Sequence, residues 1–146
     1  MMDDRTKNIL VTVDGSKNSK RALSEARRYA EMAGAEIVIL TVIENNFNFP
    51  IALSKESKET QMNIQKDAAK EILDEALKFF DDYEGVVHTK VRSGDPANQV
   101  LKEAEESKIN LIIMGSRGLG AFSRTFLGSV SNKVLNYSDS DVLIIR

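Results

Sequence analysis

The feature that most constrains the fold is the run IVILTVI at residues 37–43, in which only the threonine is not bulky and apolar. A strand with apolar side chains on both faces is typical of the centre of a parallel sheet, where helices cover both sides. Shorter apolar runs occur before and after it. Together they predict five strands: 9–13, 37–43, 86–91, 111–114 and 142–145.

Segments with apolar residues spaced three and four apart lie between these strands and predict helices. The first follows the capping residues Ser16 and Ser19 and ends at Gly34, where a glycine commonly takes the left-handed conformation. A second helix is predicted over residues 57–82. The sequence therefore alternates between strand and helix from its first elements.

Two further helices complete the alternation. Asp95 is a good N-cap and Pro96 suits the first helical position, so a helix is predicted to begin there. The last is predicted around residues 130–137. Strict alternation implies right-handed crossovers. We predict one doubly wound, Rossmann-like α/β domain over residues 1–146, a five-stranded parallel sheet with helices on both faces.

Composition and charge exclude several classes of protein. The chain has 146 residues, no cysteine and a formal net charge of -2. The absence of cysteine excludes a disulfide scaffold, a thiolate nucleophile and a cysteine zinc site. The near balance of charge gives no reason to expect nucleic acid or an anionic membrane as the main partner. No stretch approaches the ~18 apolar residues of a membrane span, and no signal peptide is recognised, so we expect a cytoplasmic protein.

The single histidine gives little support to catalysis. His88 lies within the third predicted strand, away from the edge where a ligand is expected. A Ser-His-Asp triad would need it, and zinc would need three or four nitrogen or sulfur ligands that this composition does not supply. We therefore assign no catalytic residue.

A glycine-rich segment follows the fourth strand, which ends at Met114. Residues 112–135, IIMGSRGLGAFSRTFLGSVSNKVL, hold four of the eight glycines. In open parallel sheets, ligands bind beyond the carboxyl ends of the strands, and Gly115 emerges at that edge. The segment lacks the lysine of a P-loop, and the first turn, VDGSKNS, has too few glycines for a dinucleotide fingerprint.

The segment can nevertheless bind phosphate. Gly128 and Ser129 begin a helix whose first N–H groups have no intrahelical partner. Ser129 and Ser131 add hydroxyl donors, and Arg117 and Arg124 add positive charge. The alternative is a glycine-rich turn that only joins a strand to a helix.

The spacing G-x2-G-x9-G-S, at Gly115, Gly118, Gly128 and Ser129, resembles the ATP-binding signature of the universal stress protein family. The resemblance covers essentially the whole chain. NILVTVDGSKNSKRAL resembles the family's first strand and helix start, EIVILTVIE its second strand, and SGDPANQVLKEAEE its pre-helical turn. LIIMGSRG and SDSDVLII resemble its last two strands. The resemblance implies the same five-stranded fold, bound ATP, a regulatory role and a homodimer joined through the last strands.

The resemblance also implies roles for individual residues. Asp14 matches the acid near the ribose and the phosphate-bound metal, although it also suits helix capping. Val42 matches the residue whose backbone reads adenine, and Thr12 stands where some ATP-binding members have proline. The predicted nucleotide-binding residues are Thr12, Asp14, Val42, Met114, Gly115, Ser116, Arg117, Gly118, Gly128, Ser129, Val130 and Ser131.

These residues lead to a functional hypothesis. The chain is interpreted as an ATP-binding universal stress protein that senses nucleotide and regulates unidentified protein partners. Mg²⁺ or Mn²⁺ would bridge the phosphates, with Asp14 as the metal ligand. We expect at most slow ATP hydrolysis, because no base is clearly placed and the phosphate loop has no lysine. One alternative is a stress protein that binds partners, with nucleotide incidental. Another, an ATP-dependent transferase, lacks an acceptor site.

The last predicted strand suggests self-association. Residues 142–145, VLII, form an apolar strand at the end of the chain with no proline or lysine. Such an edge strand is prone to pair with another chain. Antiparallel pairing across a two-fold axis would remove the edge. The alternative is a strand that a neighbouring helix shields.

Overall fold

The computed structural model describes residues 7–44, 54–116 and 127–146. Within these ranges, strands and helices alternate along the chain. The elements are β1 (Asn8–Thr12), α1 (Lys17–Ala33), β2 (Glu36–Ile43), α2 (Lys55–Leu77), β3 (Val87–Ser93), α3 (Pro96–Glu106), β4 (Leu111–Gly115), α4 (Ser129–Tyr137) and β5 (Asp141–Ile145).

The five strands form one parallel sheet in the order β3-β2-β1-β4-β5. The chain builds outward from β1 to β3, then returns to place β4 on the other side of β1. The strand order therefore reverses between β1 and β4. The predicted doubly wound, five-stranded parallel α/β fold is confirmed.

Buried apolar residues form one cluster on each face of the sheet. Ile37 and Ile39 of β2 pack with α1 and α2, whereas Val38 and Leu40 pack with α3 and α4. Both faces of β2 are thus covered, as its apolar run predicted. Each side chain of this size contributes about 1.5–3 kcal/mol when it is fully buried.

Local sequence signals account for the limits of α1. The Ser16 hydroxyl accepts a hydrogen bond from the Ser19 N–H at 3.2 Å, so Ser16 is the N-cap. At the other end Gly34 has a φ of 65° and its N–H donates to the Ala30 carbonyl at 2.8 Å. Glycine adopts this left-handed conformation without the steric penalty that a Cβ would bring.

The limits of α2 and β3 differ from those predicted. α2 begins earlier than residue 57 because Ser54 is its N-cap, with its hydroxyl accepting from the Ser57 N–H at 3.1 Å. It ends at Leu77 and tightens into a 3-10 turn, Lys78–Phe80, which places Phe80 in the core. β3 extends to Ser93 because its register with β2 continues to Ile43.

The two edges of the sheet differ in chemistry. β3 exposes His88 and Lys90 in the middle of the strand. β5 presents Val142–Ile145, whose side chains are only partly buried. Charged residues on an edge strand discourage pairing with another chain, so β5 is the edge better suited to association. In the part of the chain that is described, no helix combines the length and apolar character needed to span a membrane.

Candidate functional site

A cleft of about 460 Å³ opens where the carboxyl ends of β1, β2 and β4 meet the starts of α1, α3 and α4. This is the side on which open parallel sheets bind ligands, and the reversal of strand order lies within it. Ten of the twelve predicted residues line it, and the other two, Arg117 and Gly118, lie outside the described residues, as does Arg124. The ten are Thr12, Asp14, Val42, Met114, Gly115, Ser116, Gly128, Ser129, Val130 and Ser131.

Sequence reasoning missed several lining residues. Ser16 and Ser19 belong to the capping turn after Asp14, and Pro96 and Val100 occupy one face of α3. Glu44 is the first residue after β2, and an acid at the end of the second strand is a known signal for ribose binding in related folds. The remaining missed residues are Val13 and Leu40.

One end of the cleft is formed by the start of α4. The first helical hydrogen bond runs from the Asn132 N–H to the Gly128 carbonyl at 2.9 Å, and no side chain of the described residues caps the helix. The N–H groups of Ser129, Val130 and Ser131 have no hydrogen-bond partner among the described residues. Unpaired N–H groups and the helix dipole favour an anion at this position.

The carbonyl oxygen of Ser116 fixes the start of α4 against the end of β4. It accepts a hydrogen bond from the Gly128 N–H at 2.7 Å and another from the Ser131 hydroxyl at 2.7 Å. The same hydroxyl also lies 3.1 Å from the Gly128 carbonyl oxygen. The expectation that Ser131 offers a free hydroxyl donor is therefore corrected: its proton is used inside the protein, as is that of the Gly128 amide.

The Ser116 hydroxyl is different. Ser116 is 3% exposed and lines the cleft, yet its Oγ has no hydrogen-bond partner among the described residues. An unsatisfied buried polar group costs about 1–3 kcal/mol, and most buried polar groups are paired. A ligand in the cleft would supply the missing partner.

The other end of the cleft presents the backbone of Val42. Alternate residues of β2 direct their backbone groups at β1: the Glu36 N–H donates to Lys7, and Leu40 accepts from the Val13 N–H, both at 2.9 Å. Val42 is the next residue in this series, and the part of the structure described gives it no backbone bond to β1. Its N–H and C=O therefore offer a donor and an acceptor side by side.

Two carboxylates and no cationic side chain occur in the described lining of the cleft. Asp14 Oδ1 accepts a hydrogen bond from the Ser16 N–H at 2.8 Å, which shapes the turn before α1. Asp14 is not the helix cap, because Ser16 has that role. In the described ranges, no group of three or more His, Cys, Asp or Glu residues is arranged to hold a metal. A cation at Asp14 would need further oxygen ligands from the bound molecule.

A buried carboxylate attaches α3, which lines the cleft, to β3. Glu103 is 1% exposed, and its oxygens lie 2.8 Å from Lys90 Nζ and 3.1 Å from Arg92 Nη1. The Ser107 hydroxyl also donates to it. Burial acts to raise the pKa of Glu103, but the hydrogen bonds from Lys90, Ser107 and Arg92 together outweigh it and hold that pKa below its ordinary value.

Comparison with known proteins agrees with this architecture. The sequence profile of the Universal stress protein family matches residues 5–146. A universal stress protein of Thermus aquaticus is 33% identical over 142 residues, which are 96% of this chain and 98% of that protein.

Solved structures are similar over nearly the whole chain. UspA of Lactobacillus plantarum has a TM-score of 0.87 and 25% identity, covering 99% of this chain and 100% of its own. A universal stress protein in complex with cAMP has a TM-score of 0.72 and 24% identity, and the match covers 96% of this chain and 97% of that protein. An Arabidopsis thaliana family protein with AMP bound has a TM-score of 0.69 and 18% identity, and the match covers 95% of this chain and 90% of that protein. The last two likenesses show a shared fold.

Proposed function

The chain belongs to the universal stress protein family, and from that premise we propose that it binds ATP in the cleft at the carboxyl edge of its sheet. In this proposal it is a cytoplasmic regulator of the stress response, whose bound nucleotide controls its contacts with protein partners. The single domain over residues 1–146 is the regulatory unit. The arguments come from the two ends of the cleft.

The observation that carries the proposal is the Ser116 hydroxyl beside the first N–H groups of α4, which all lack a hydrogen-bond partner in the part of the chain that the structure describes. A buried donor and three N–H groups, none of them with a partner among the described residues, line the same end of one cleft. Phosphate oxygens accept hydrogen bonds from both kinds of donor, and the helix dipole adds about 0.3–1 kcal/mol for each negative charge. The residues present therefore fit a phosphate group.

The order of the strands sets the orientation in which a nucleotide would bind along the carboxyl edge of the sheet. β4 and α4 carry the phosphate donors, β1 carries Asp14, and β2 carries Val42. β2 and β4 are two strand spacings apart, about 10 Å. A nucleotide would cross this edge with its phosphates at Ser116, its ribose near Asp14 and its adenine at Val42. The Val42 N–H would donate to N1 of adenine, and the Val42 carbonyl would accept from the exocyclic amine.

Proteins of the same fold support an adenine nucleotide. One universal stress protein is in complex with cAMP, and the Arabidopsis thaliana protein has AMP bound. We extend that ligand class to this cleft as part of the proposal. The triphosphate is inferred from the glycine signature at Gly115, Gly118 and Gly128.

Charge in the cleft favours a metal complex of the nucleotide. The carboxylates of Asp14 and Glu44 would repel the phosphates of a free nucleotide. Asp14 would instead be a suitable ligand for Mg²⁺ or Mn²⁺ in a metal–nucleotide complex. When bound, the ion would supply positive charge to the phosphates. We expect at most slow hydrolysis, because residues 115–131 contain no lysine.

Thermal shift and titration calorimetry test the proposal. Mg-ATP is expected to raise the melting temperature, because ATP at one hundred times its Kd stabilises the folded state by about 2.7 kcal/mol. ADP, AMP and cAMP, each with and without Mg²⁺, define which phosphates and which ion matter. If none of them shifts the transition, and the supernatant of heat-denatured protein contains no nucleotide, the proposal fails and the partner-binding alternative is favoured.

The proposed homodimer uses the free edge of β5. Asp141 donates to Asn110 and Ile145 accepts from Ser116, so the odd-numbered residues of β5 bond to β4. Val142 and Ile144 therefore direct their backbone groups away from the sheet. Two such edges can pair antiparallel about a two-fold axis.

Val142→Pro is expected to convert the dimer to a monomer, because proline removes an outward N–H and leaves the bonds to β4 in place. Analytical ultracentrifugation at micromolar concentration measures the change. Leu143→Pro is the matched control: it removes an inward N–H and should lower the stability of the fold itself. A native protein that sediments as a monomer would rule out the dimer.

A further inference from the structure

A second, smaller cavity lies beside the nucleotide cleft, between α2 and the end of β2. It measures about 300 Å³, and we refer to it as the side groove. Its lining is mostly apolar or small, with Gln65 and Glu44 as the exceptions. Val42 and Glu44 line both cavities; the other side-groove residues are Thr41, Ile43, Gln65, Ala68, Ala69 and Ile72.

Small side chains on α2 create the side groove. Ala68 and Ala69 face it, and Ala69 is 4% exposed, so the helix is packed close to the sheet there without a large side chain to fill the space. Ile72 forms the other wall. A Cβ added to Gly15 would lie 3.5 Å from Ile72 Cγ1, so the turn between β1 and α1 packs against this wall.

The position of the side groove relates it to the base of a nucleotide. The phosphate donors lie at β4 and α4, on the far side of β1, whereas Val42 and Glu44 lie at β2. With adenine hydrogen-bonded to the Val42 backbone, its exocyclic amine faces β2. A group attached to that nitrogen would extend past Val42 and Glu44 into the side groove.

We propose that the side groove is a subsite for a neutral, apolar substituent on the exocyclic amine of an adenine nucleotide. This inference rests on the proposed function, because it places the base at Val42. A singly substituted amine keeps one N–H, so its hydrogen bond to the Val42 carbonyl is retained. The apolar walls favour an alkyl or aryl group, and Glu44 at the boundary disfavours an anionic one.

Titration with N6-benzyl-ATP, compared with ATP, tests the subsite. We expect the benzyl derivative to bind about tenfold more tightly, the factor given by burying the equivalent of about two methylene groups. Ala68→Phe should remove this preference, because a phenyl ring there fills the side groove, and it should leave the affinity for ATP within about twofold. Ala68 is exposed at the mouth of the groove, so the fold tolerates the change.

Ile64→Phe is the matched control, since Ile64 is exposed on α2 and does not line the side groove. It should keep both affinities. The subsite is overturned if the native protein binds the benzyl derivative no more tightly than ATP. It is also overturned if Ala68→Phe keeps the full preference. Binding of neither nucleotide would instead remove the proposed function, and the subsite with it.

Discussion

Replacing Ser116 with alanine is expected to weaken ATP binding by about tenfold or more while leaving the protein at least as stable as before. The Ser116 hydroxyl is buried and has no partner among the described residues, so its removal relieves an unsatisfied donor. An unsatisfied buried hydroxyl costs about 1–3 kcal/mol, and a hydrogen bond from it to a charged phosphate contributes about 1.5–3 kcal/mol. Calorimetry measures the affinity, and urea unfolding without nucleotide measures the stability.

Ser131→Ala provides the matched control, because it removes another buried serine hydroxyl at the same end of the cleft. This hydroxyl donates to the Ser116 carbonyl at 2.7 Å. Its loss leaves that carbonyl with one partner fewer and is expected to cost about 1–2 kcal/mol of stability. If Ser116→Ala loses stability to the same degree and binds ATP normally, Ser116 is a packing residue and the phosphate proposal loses its main support.

Replacing Glu103 with glutamine is expected to lower the free energy of unfolding at neutral pH by about 2–4 kcal/mol. The carboxylate is 1% exposed and receives hydrogen bonds from Lys90, Arg92 and Ser107. Glutamine is uncharged and replaces one acceptor oxygen by an amide, so hydrogen bonds that each contribute about 1.5–3 kcal/mol to a charged acceptor are weakened or lost. Lys90 is 44% exposed, so water solvates its charge in the variant. Arg92 keeps Glu106 as a partner at 3.0 Å, which limits the loss.

The same change alters the dependence of stability on pH. Because the pKa of Glu103 is lower in the folded state than in the unfolded chain, its contribution is complete above the unfolded value of about 4.3. This contribution to stability is lost as the pH falls through the pKa of Glu103 in the folded state. The stability difference between the native protein and Glu103→Gln should therefore be constant near neutral pH and narrow as the pH falls below the unfolded pKa of about 4.3, as measured by urea unfolding.

Glu106→Gln separates burial from charge in this network. Glu106 also pairs with Arg92, but its side chain is 64% exposed. An exposed ion pair contributes about 0–1 kcal/mol, so this variant should resemble the native protein at every pH. Equal losses for the two variants would mean that burial of Glu103 is not what gives the network its strength.

The fold could be predicted because its signals are local. The apolar run of β2, the capping residue Ser16 and the terminal Gly34 each specify their element through neighbours within a few positions. The error at the start of α2 also comes from reliance on local signals. Two serines, Ser54 and Ser57, lie near the start of that helix, and spacing alone does not show that Ser54 is the cap.

The candidate site was only partly predictable. Glycine spacing and family resemblance selected residues that line one cleft, but they assigned a hydroxyl donor to Ser131 and none to Ser116. The Ser131 hydroxyl donates to the Ser116 carbonyl, whereas the Ser116 hydroxyl has no partner in the described part of the chain. Such a difference depends on where α4 packs against β4, which a one-dimensional pattern does not contain. The side groove was missed for the same reason, since it forms where α2 meets β2.

The two hydrogen bonds that converge on the Ser116 carbonyl oxygen also tie two groups of donors together. They join the end of β4 at Ser116 to the start of α4 at Gly128 and Ser131. The residue that presents the buried hydroxyl therefore also positions the N–H groups at the start of the helix. A substitution that shifts the backbone at Ser116 would displace both groups of donors at once.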